Sequence, residues 1–241
     1  MAQATAKIGK ILAIDIGATG LKAALVSPSG KLLMQRLRIE TPHPCPPRKM
    51  VAVLAKLVRP LTGYDCISIG FPGFVRGGKV YTAPNLGTDD WAGFRLAAAM
   101  SKKLGKPARL LNDADMQGLA VVKGRGLELV CTLGTGFGTA VFHDGELLPH
   151  MDLAHLVAHK GDDFDDYIGD ETCRRIGHKD WNKRLKKLIA MLGNVFFFDH
   201  LYLGGGNARL IRFKLPRNVS IVANDAGMEG GAFVWAPRAR R

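Results

Sequence analysis

No apolar run in the 241 residues approaches the ~20 needed to cross a bilayer as a helix, which argues against a membrane-embedded chain. Cysteine is scarce: Cys45, Cys66, Cys131 and Cys173 form no CxxC pair. That spacing offers neither a disulfide framework nor a zinc ribbon, and the four read as separate reduced thiols. Acidic residues are also few, 21 Asp and Glu against 34 Lys and Arg. The opening stretch Met1–Lys7 runs into the short apolar segment Ile11–Ile16, which contains Asp15. A secretory core would not carry that charge and no cleavage site follows it, so the chain is expected in the cytoplasm. With 47% hydrophobic and 23% charged residues, the composition is that of a folded chain with a substantial core.

The acid deficit leaves a formal charge of +13 and a pI near 9.8. Such a surface attracts polyanions: nucleic acid, a phosphate polymer or an acidic membrane face. Part of the excess sits in the terminal Pro237-Arg-Ala-Arg-Arg241, which reads as a solvated tail. Another part, Lys183, Arg184, Lys186 and Lys187, falls on an amphipathic helix expected over 180–192. Trp181, Leu185, Leu188, Ile189 and Leu192 point inward there, and the lysines read as a solvated face.

Strand-like and helix-like segments alternate along the chain. Ile11–Asp15, Leu21–Val26 and Lys31–Arg38 are separated by turn signals and read as an antiparallel meander. Four prolines between Thr41 and Pro47 make a rigid connection. A helix over 48–58, a buried strand over 66–70, a helix over 91–104 ended by Gly105, and a strand over 108–111 follow. The second half repeats the style, with strands over 128–133, 138–142, 199–203 and 220–223 and a short final helix. This alternation predicts a two-lobed α/β protein divided at 1–112 and 113–241, with ligands between the lobes at strand ends.

Three glycine turns follow predicted strands: Asp15-Ile-Gly-Ala-Thr-Gly20, Leu133-Gly-Thr-Gly-Phe-Gly138 and Leu203-Gly-Gly-Gly-Asn207. None has the P-loop or dinucleotide-binding spacing. Each alone suits an ordinary tight turn, yet glycines also let backbone N–H groups cup a phosphate. Three turns beside Asp or Thr favour phosphate handling. In the first, Asp15 is placed to anchor Mg²⁺ or to cap its own turn, Thr19 to donate to a phosphate oxygen and Lys22 to neutralise charge. Asn112-Asp113-Ala-Asp115 ends a strand. Asp113 suits a helix N-cap, and equally a base accepting a hydroxyl proton in phosphoryl transfer. Asp152 and His155 suit hydrogen bonding to a polyhydroxylated ligand or a surface loop; with His150 and His159 they match no standard zinc spacing.

These segments, in this order over residues 10–235, resemble the motifs of the ROK sugar kinases of the actin/hexokinase/Hsp70 superfamily. Gly70-Phe-Pro-Gly73 with Asn85-Leu86 resembles that family's sugar-side loop. The short length and the absence of the CxCGxxGCxE zinc motif resemble the polyphosphate glucokinase branch, and no zinc site is expected.

The resemblance implies a two-lobed ribonuclease H-like/actin-like ATPase fold with the active site in the inter-lobe cleft. It implies transfer of a phosphoryl group from polyphosphate or ATP, with Mg²⁺, to the 6-hydroxyl of glucose, in a cleft that closes against water. Asp113 would be the base; Asn85, Asn112, Asp152, His155 and Asp165 would bind the sugar. Asp15, Gly17, Thr19, Lys22, Gly134, Thr135, Gly136, Gly138, Gly204, Gly205, Gly206 and Asn207 would hold the donor. A homodimer is implied, with no membrane partner.

The chain departs from the family in two motifs. The family's ExGH motif reads Asp152-Leu-Ala-His155 here, and Ala18 replaces a common glycine. Asp165 stands for a further family Glu with no clear counterpart, and 162–166 also reads as an acidic helix start. The alternatives are an ATP-dependent ROK kinase for another hexose or amino sugar, and a non-catalytic sugar sensor or nucleic-acid-binding regulator. About ten residues before the first strand leave no room for the helix-turn-helix segment of the family's repressors, so nucleic acid is the less expected partner.

Overall fold

The computed structural model describes residues 8–223 and 226–236; the expectations for Met1–Lys7 and for the tail Pro237–Arg241 lie outside the described residues. The chain forms two compact units. The first contains β1 (Ile11–Ile16), β2 (Gly20–Val26), β3 (Leu37–Glu40), α1 (Pro47–Leu57), β4 (Cys66–Phe71), the ribbon β5 (Val75–Arg76) and β6 (Lys79–Val80), α2 (Leu96–Leu104) and β7 (Ala108–Asn112). Helix α3 (Asp113–Val121) starts at the residue after β7. The sheet order is β3-β2-β1-β4-β7, with β1 antiparallel to β2 and parallel to β4.

Burial explains these elements. Every residue of β4 is buried, as a short apolar run in a parallel interior requires. Helix α1 starts on Pro47, whose missing N–H costs nothing in a first turn, and buries Met50, Leu54 and Leu57. Two segments differ from expectation. The third strand forms at Leu37–Glu40, not over 31–38, because Gly30 (φ 85°) reverses the chain and leaves only the bridge Val26–Leu32. Helix α2 begins at Leu96, because Gly93 sits at φ 79° and breaks the helical path. Trp91 turns into the core instead, its indole N–H donating to the Cys45 carbonyl at 3.0 Å.

The second unit contains β8 (Leu127–Leu133), β9 (Phe137–His143), β10 (Glu146–Leu147), the ribbon β11 (Val157–His159) and β12 (Asp162–Asp163), α4 (Phe164–Ile168), α5 (Asp170–Phe196), β13 (His200–Gly204) and β14 (Val219–Ile221). Its order, β10-β9-β8-β13-β14, repeats the first sheet: an antiparallel hairpin edge, then parallel strands. The helix expected over 180–192 is part of α5, interrupted by the extended, positive-φ Gly177. Trp181, Leu185, Leu188, Ile189 and Leu192 are buried as the 3.6-residue period predicts.

Helix α6 (Ala226–Phe233) rejoins the first unit. Gly231 brings it against β1 and β4, where an added Cβ would lie 2.9 Å from Ala13 Cβ, and the Ser68 hydroxyl donates to the Gly231 carbonyl at 2.5 Å. Arg109 stacks on Trp235 at 4.2 Å. The division therefore differs from the expected break at 112/113: the first unit runs to Met116 and resumes at Gly227, and Gln117–Ala226 make the second. Among the described residues no helix is long and apolar enough to cross a membrane.

Gly231→Leu is expected to lower stability by about 2–3 kcal/mol through overpacking at this contact, read as a fall in the denaturation midpoint. A fall of under about 0.5 kcal/mol would show that α6 does not seat on β1.

Candidate active site

In the first unit the β1–β2 hairpin carries the first glycine turn. Asp15 and Lys22 are cross-strand partners, and the ammonium donates to the Asp15 carboxylate at 2.8 Å. Gly17 closes the turn by donating to the Gly20 carbonyl at 3.0 Å, and Thr19 is exposed at its tip. The Thr41 hydroxyl donates to the Gly17 carbonyl and the His43 ring to the Ala18 carbonyl, each at 2.7 Å. These two residues hold the turn, yet nothing in the local sequence ties them to it. Ala18 has a negative φ, so its replacement of a glycine strains nothing in the backbone.

Asn112 is buried, and its carboxamide is fully used. The amide oxygen accepts from the Ala114 and Asp115 N–H groups at 2.8 and 3.3 Å, and the amide nitrogen donates to the Gly73 carbonyl at 3.2 Å. Asn112, rather than Asp113, therefore caps α3, and it ties the helix start to the Gly70–Gly73 loop. Asp113 opens the helix half-buried at its positive end, where the dipole favours an anion. Asn85 lies half-buried in the loop ending at Leu86, whose carbonyl accepts from Cys45 N–H at 3.0 Å.

In the second unit the other two glycine turns meet. The Asn207 amide donates to the Gly134 carbonyl at 3.4 Å and to the Asp170 carboxylate at 3.3 Å, while the Asp170 N–H donates to the same Gly134 carbonyl at 3.0 Å. Gly205, at φ 84°, lies against β8, where a Cβ would come within 2.3 Å of the Leu133 carbonyl oxygen. Thr135 is exposed at the tip of the β8–β9 turn, between Gly134 and Gly136. Gly138, two residues beyond Gly136 in β9, pairs with Thr132.

Asp165, expected among sugar ligands, is tied to this turn. Its carboxylate accepts from the Phe137 N–H at 2.6 Å and fills the space beside Gly136, where a Cβ would lie 2.6 Å from it. Burial raises its pKa, outweighing the Phe137 N–H, and the neighbouring Asp163 adds to the rise. His155, on a single helical turn after Asp152, lies between two carboxylates, 3.6 Å from Asp152 and 3.5 Å from Asp163. Asp163 also caps α4, accepting from the Asp166 N–H at 2.9 Å.

Sequence reasoning missed Asp163, Asp170 and Gln117. Asp163 precedes α4 and was readable as its cap, whereas Asp170 is the first residue of α5, after Gly169, and signals only the acidic first turn of a helix. Gln117 is 7% exposed, and its amide lies against Gly204 with Nε2 lacking a partner among the described residues. Such a leftover buried donor suits a ligand oxygen or a water. Cys45, Cys66, Cys131 and Cys173 are free and buried. No group of three or more metal-binding side chains occurs among the described residues. Asp15, one carboxylate already bridged to Lys22, fits a magnesium ion that arrives on donor phosphates and does not fit a protein-built cage.

The two sheets, each a hairpin edge continued by parallel strands, define a ribonuclease H-like/actin-like fold. Residues 11–154 match the model of the ROK family, and the chain belongs to that family. It is 29% identical to a polyphosphate glucokinase of Mycobacterium leprae over 238 residues, 91% of this chain and 72% of that protein. A Mycobacterium tuberculosis polyphosphate glucokinase is 28% identical, over 91% of this chain and 88% of its own. Among solved structures, the inorganic polyphosphate/ATP-glucomannokinase of Arthrobacter sp. strain KM superposes with a TM-score of 0.85 at 29% identity, covering 94% of this chain and 98% of the other. A ROK family glucokinase from Streptomyces griseus, with glucose and AMPPNP, shares the fold at a TM-score of 0.78 and 17% identity, over 94% and 99% of the two chains.

Two measurements check the site's internal geometry. Gly205→Ala is expected to cost about 2–4 kcal/mol of stability, since it meets both a positive φ and a backbone oxygen. Gly206→Ala, with open space around it, is expected to stay within about 0.5 kcal/mol. For Asp165, the folded state binds the proton more tightly than the unfolded chain, so wild-type stability falls as pH rises from the ordinary Asp range through the raised value. Asp165→Asn keeps an oxygen for Phe137 N–H and is expected to remove that fall, making the variant more stable at neutral pH. A variant less stable than wild type at pH 7 would contradict this.

Proposed function

We propose that the protein is a cytoplasmic sugar kinase that transfers a phosphoryl group from polyphosphate or ATP to the 6-hydroxyl of glucose. The observation that carries the reading is Asp113: a half-buried carboxylate at the positive end of α3, directly after a parallel strand, fixed by the Asn112 cap. Relatives matching nine tenths of the chain are polyphosphate glucokinases, and a glucomannokinase using polyphosphate or ATP has the same fold.

In this reading Asp113 accepts the proton of the sugar hydroxyl as its oxygen bonds to phosphorus. The bond from phosphorus to the departing phosphate chain breaks, and that oxygen leaves with the electron pair. Asn112 acts as a positioning residue rather than a sugar ligand, because its amide is committed to the α3 cap and to Gly73. In this reading Asn85, Asp152 and His155 supply hydrogen bonds to the sugar. The turns Gly17–Thr19, Gly134–Gly138 and Gly204–Asn207 hold the donor, with Lys22 and the Gln117 amide supplying charge and a hydrogen bond to its oxygens. Magnesium, carried by the donor and held at Asp15, would neutralise phosphate charge.

A matrix of donors (long-chain polyphosphate, ATP) and acceptors (glucose, other hexoses, amino sugars) tests the reading, with glucose expected as the best acceptor. Asp113→Asn is expected to lower turnover by about 10²–10⁴-fold, with sugar affinity changed less than about twofold. Absence of transfer to every hexose from both donors would refute the assignment, and near-normal turnover in the variant would place the base elsewhere.

A further inference from the structure

The lysines of α5, read from sequence as a solvated face, are exposed, and two of them also edge a groove. Lys183, Arg184 and Lys187 line a concave groove of about 350 Å³, walled on the other side by His159 and Tyr167. Lys183 and Lys187 stand one helical turn, about 6 Å, apart along the axis. Arg184 is fixed in place: it stacks on the Tyr167 ring at 4.6 Å and donates to the Tyr167 carbonyl at 3.0 Å. The Lys187 side chain is exposed and has no hydrogen bond or ion pair among the described residues. Among the described residues that line the groove Asp180 is the one acid, and it accepts from Lys183 at 2.7 Å.

We infer that this groove is an accessory binding site for the inorganic polyphosphate chain, separate from the residues that meet the transferred phosphoryl group; the inference rests on the polyphosphate-donor reading above. Three cations against one carboxylate suit a polyanion. Nucleic acid is disfavoured by the ring chemistry. Binding of single strands relies on open aromatic faces for stacking, and Tyr167 is buried with its face covered by Arg184. The groove is also linked to the donor turn through one short helix. In α4, Asp165 holds Phe137 N–H beside Gly136, and two residues later Tyr167 forms the groove wall. A polymer long enough to reach both places would raise its own local concentration at the turn.

Steady-state kinetics with wild type, Lys183→Ala/Lys187→Ala and Asp180→Asn, each with long-chain polyphosphate, tripolyphosphate and ATP, test the site. Lys183 and Asp180 are 66% and 57% exposed at their side chains, so these changes spare the fold. The double variant is expected to raise KM for the long chain about tenfold at low salt, with KM for ATP and tripolyphosphate changed less than about twofold. Asp180→Asn is expected to lower the long-chain KM by roughly two- to threefold. An unchanged long-chain KM in the double variant, in an enzyme that uses polyphosphate, overturns the groove alone. An equal change for all three donors also overturns it. Wild-type activity with ATP and none with any polyphosphate overturns the donor reading and the groove together. Displacement of labelled polyphosphate by a single-stranded oligonucleotide at equal phosphate and physiological salt would assign the groove to nucleic acid instead.

Discussion

One side chain, Asn112, sets the geometry on which the proposed chemistry rests. Strand β7 passes into α3 without an intervening residue, so the first helical N–H groups face no loop that would satisfy them. The Asn112 oxygen takes two of them, and its nitrogen reaches back to the loop after β4. That double use fixes where α3 starts and thus where Asp113 stands. A capping residue and a candidate base thereby occupy adjacent positions with separate tasks. Burial makes the cap costly to lose, since an unsatisfied helix end would be left in the interior.

The second unit has a comparable node at the Gly134 carbonyl, which accepts from the Asp170 backbone and the Asn207 side chain. Through it the glycine turns after β8 and β13 become one surface. Asp165 then occupies the Phe137 N–H that an isolated reading would offer to phosphate. Its elevated pKa follows from placing a carboxylate where burial costs more than one N–H returns. From the same short helix, Tyr167 holds Arg184, so order at the turn and order in the basic groove share α4 as a support.

Much of the fold was legible because its signals are local. The short, mostly apolar run Cys66–Phe71, the helical period of Trp181, Leu185, Leu188 and Leu192, and Gly105 as a left-handed helix stop each carry their cause within a few residues. Helix α2 was misjudged in its start because Trp91 fits the periodicity equally well as a loop residue packed beside Phe71, 5.0 Å between rings. The place of α6 was not legible either: a small-residue helix at the chain's end gives no sign of which sheet its Gly231 will meet.

The motifs and their order belong to the sequence alone: glycine turns after strands, a carboxylate after a strand tip, and an excess of cations with a helical run of lysines. Local backbone preference and side-chain chemistry suffice to fix those. Tertiary structure decided the partners. It gave Thr41 and His43 to the first turn, Asp165 and Asp170 to the second, Asn112 to the α3 cap, and a facing wall to Lys183, Arg184 and Lys187. Those pairings join residues far apart in the chain, and a hydrogen bond or a groove exists only when packing brings both its sides together.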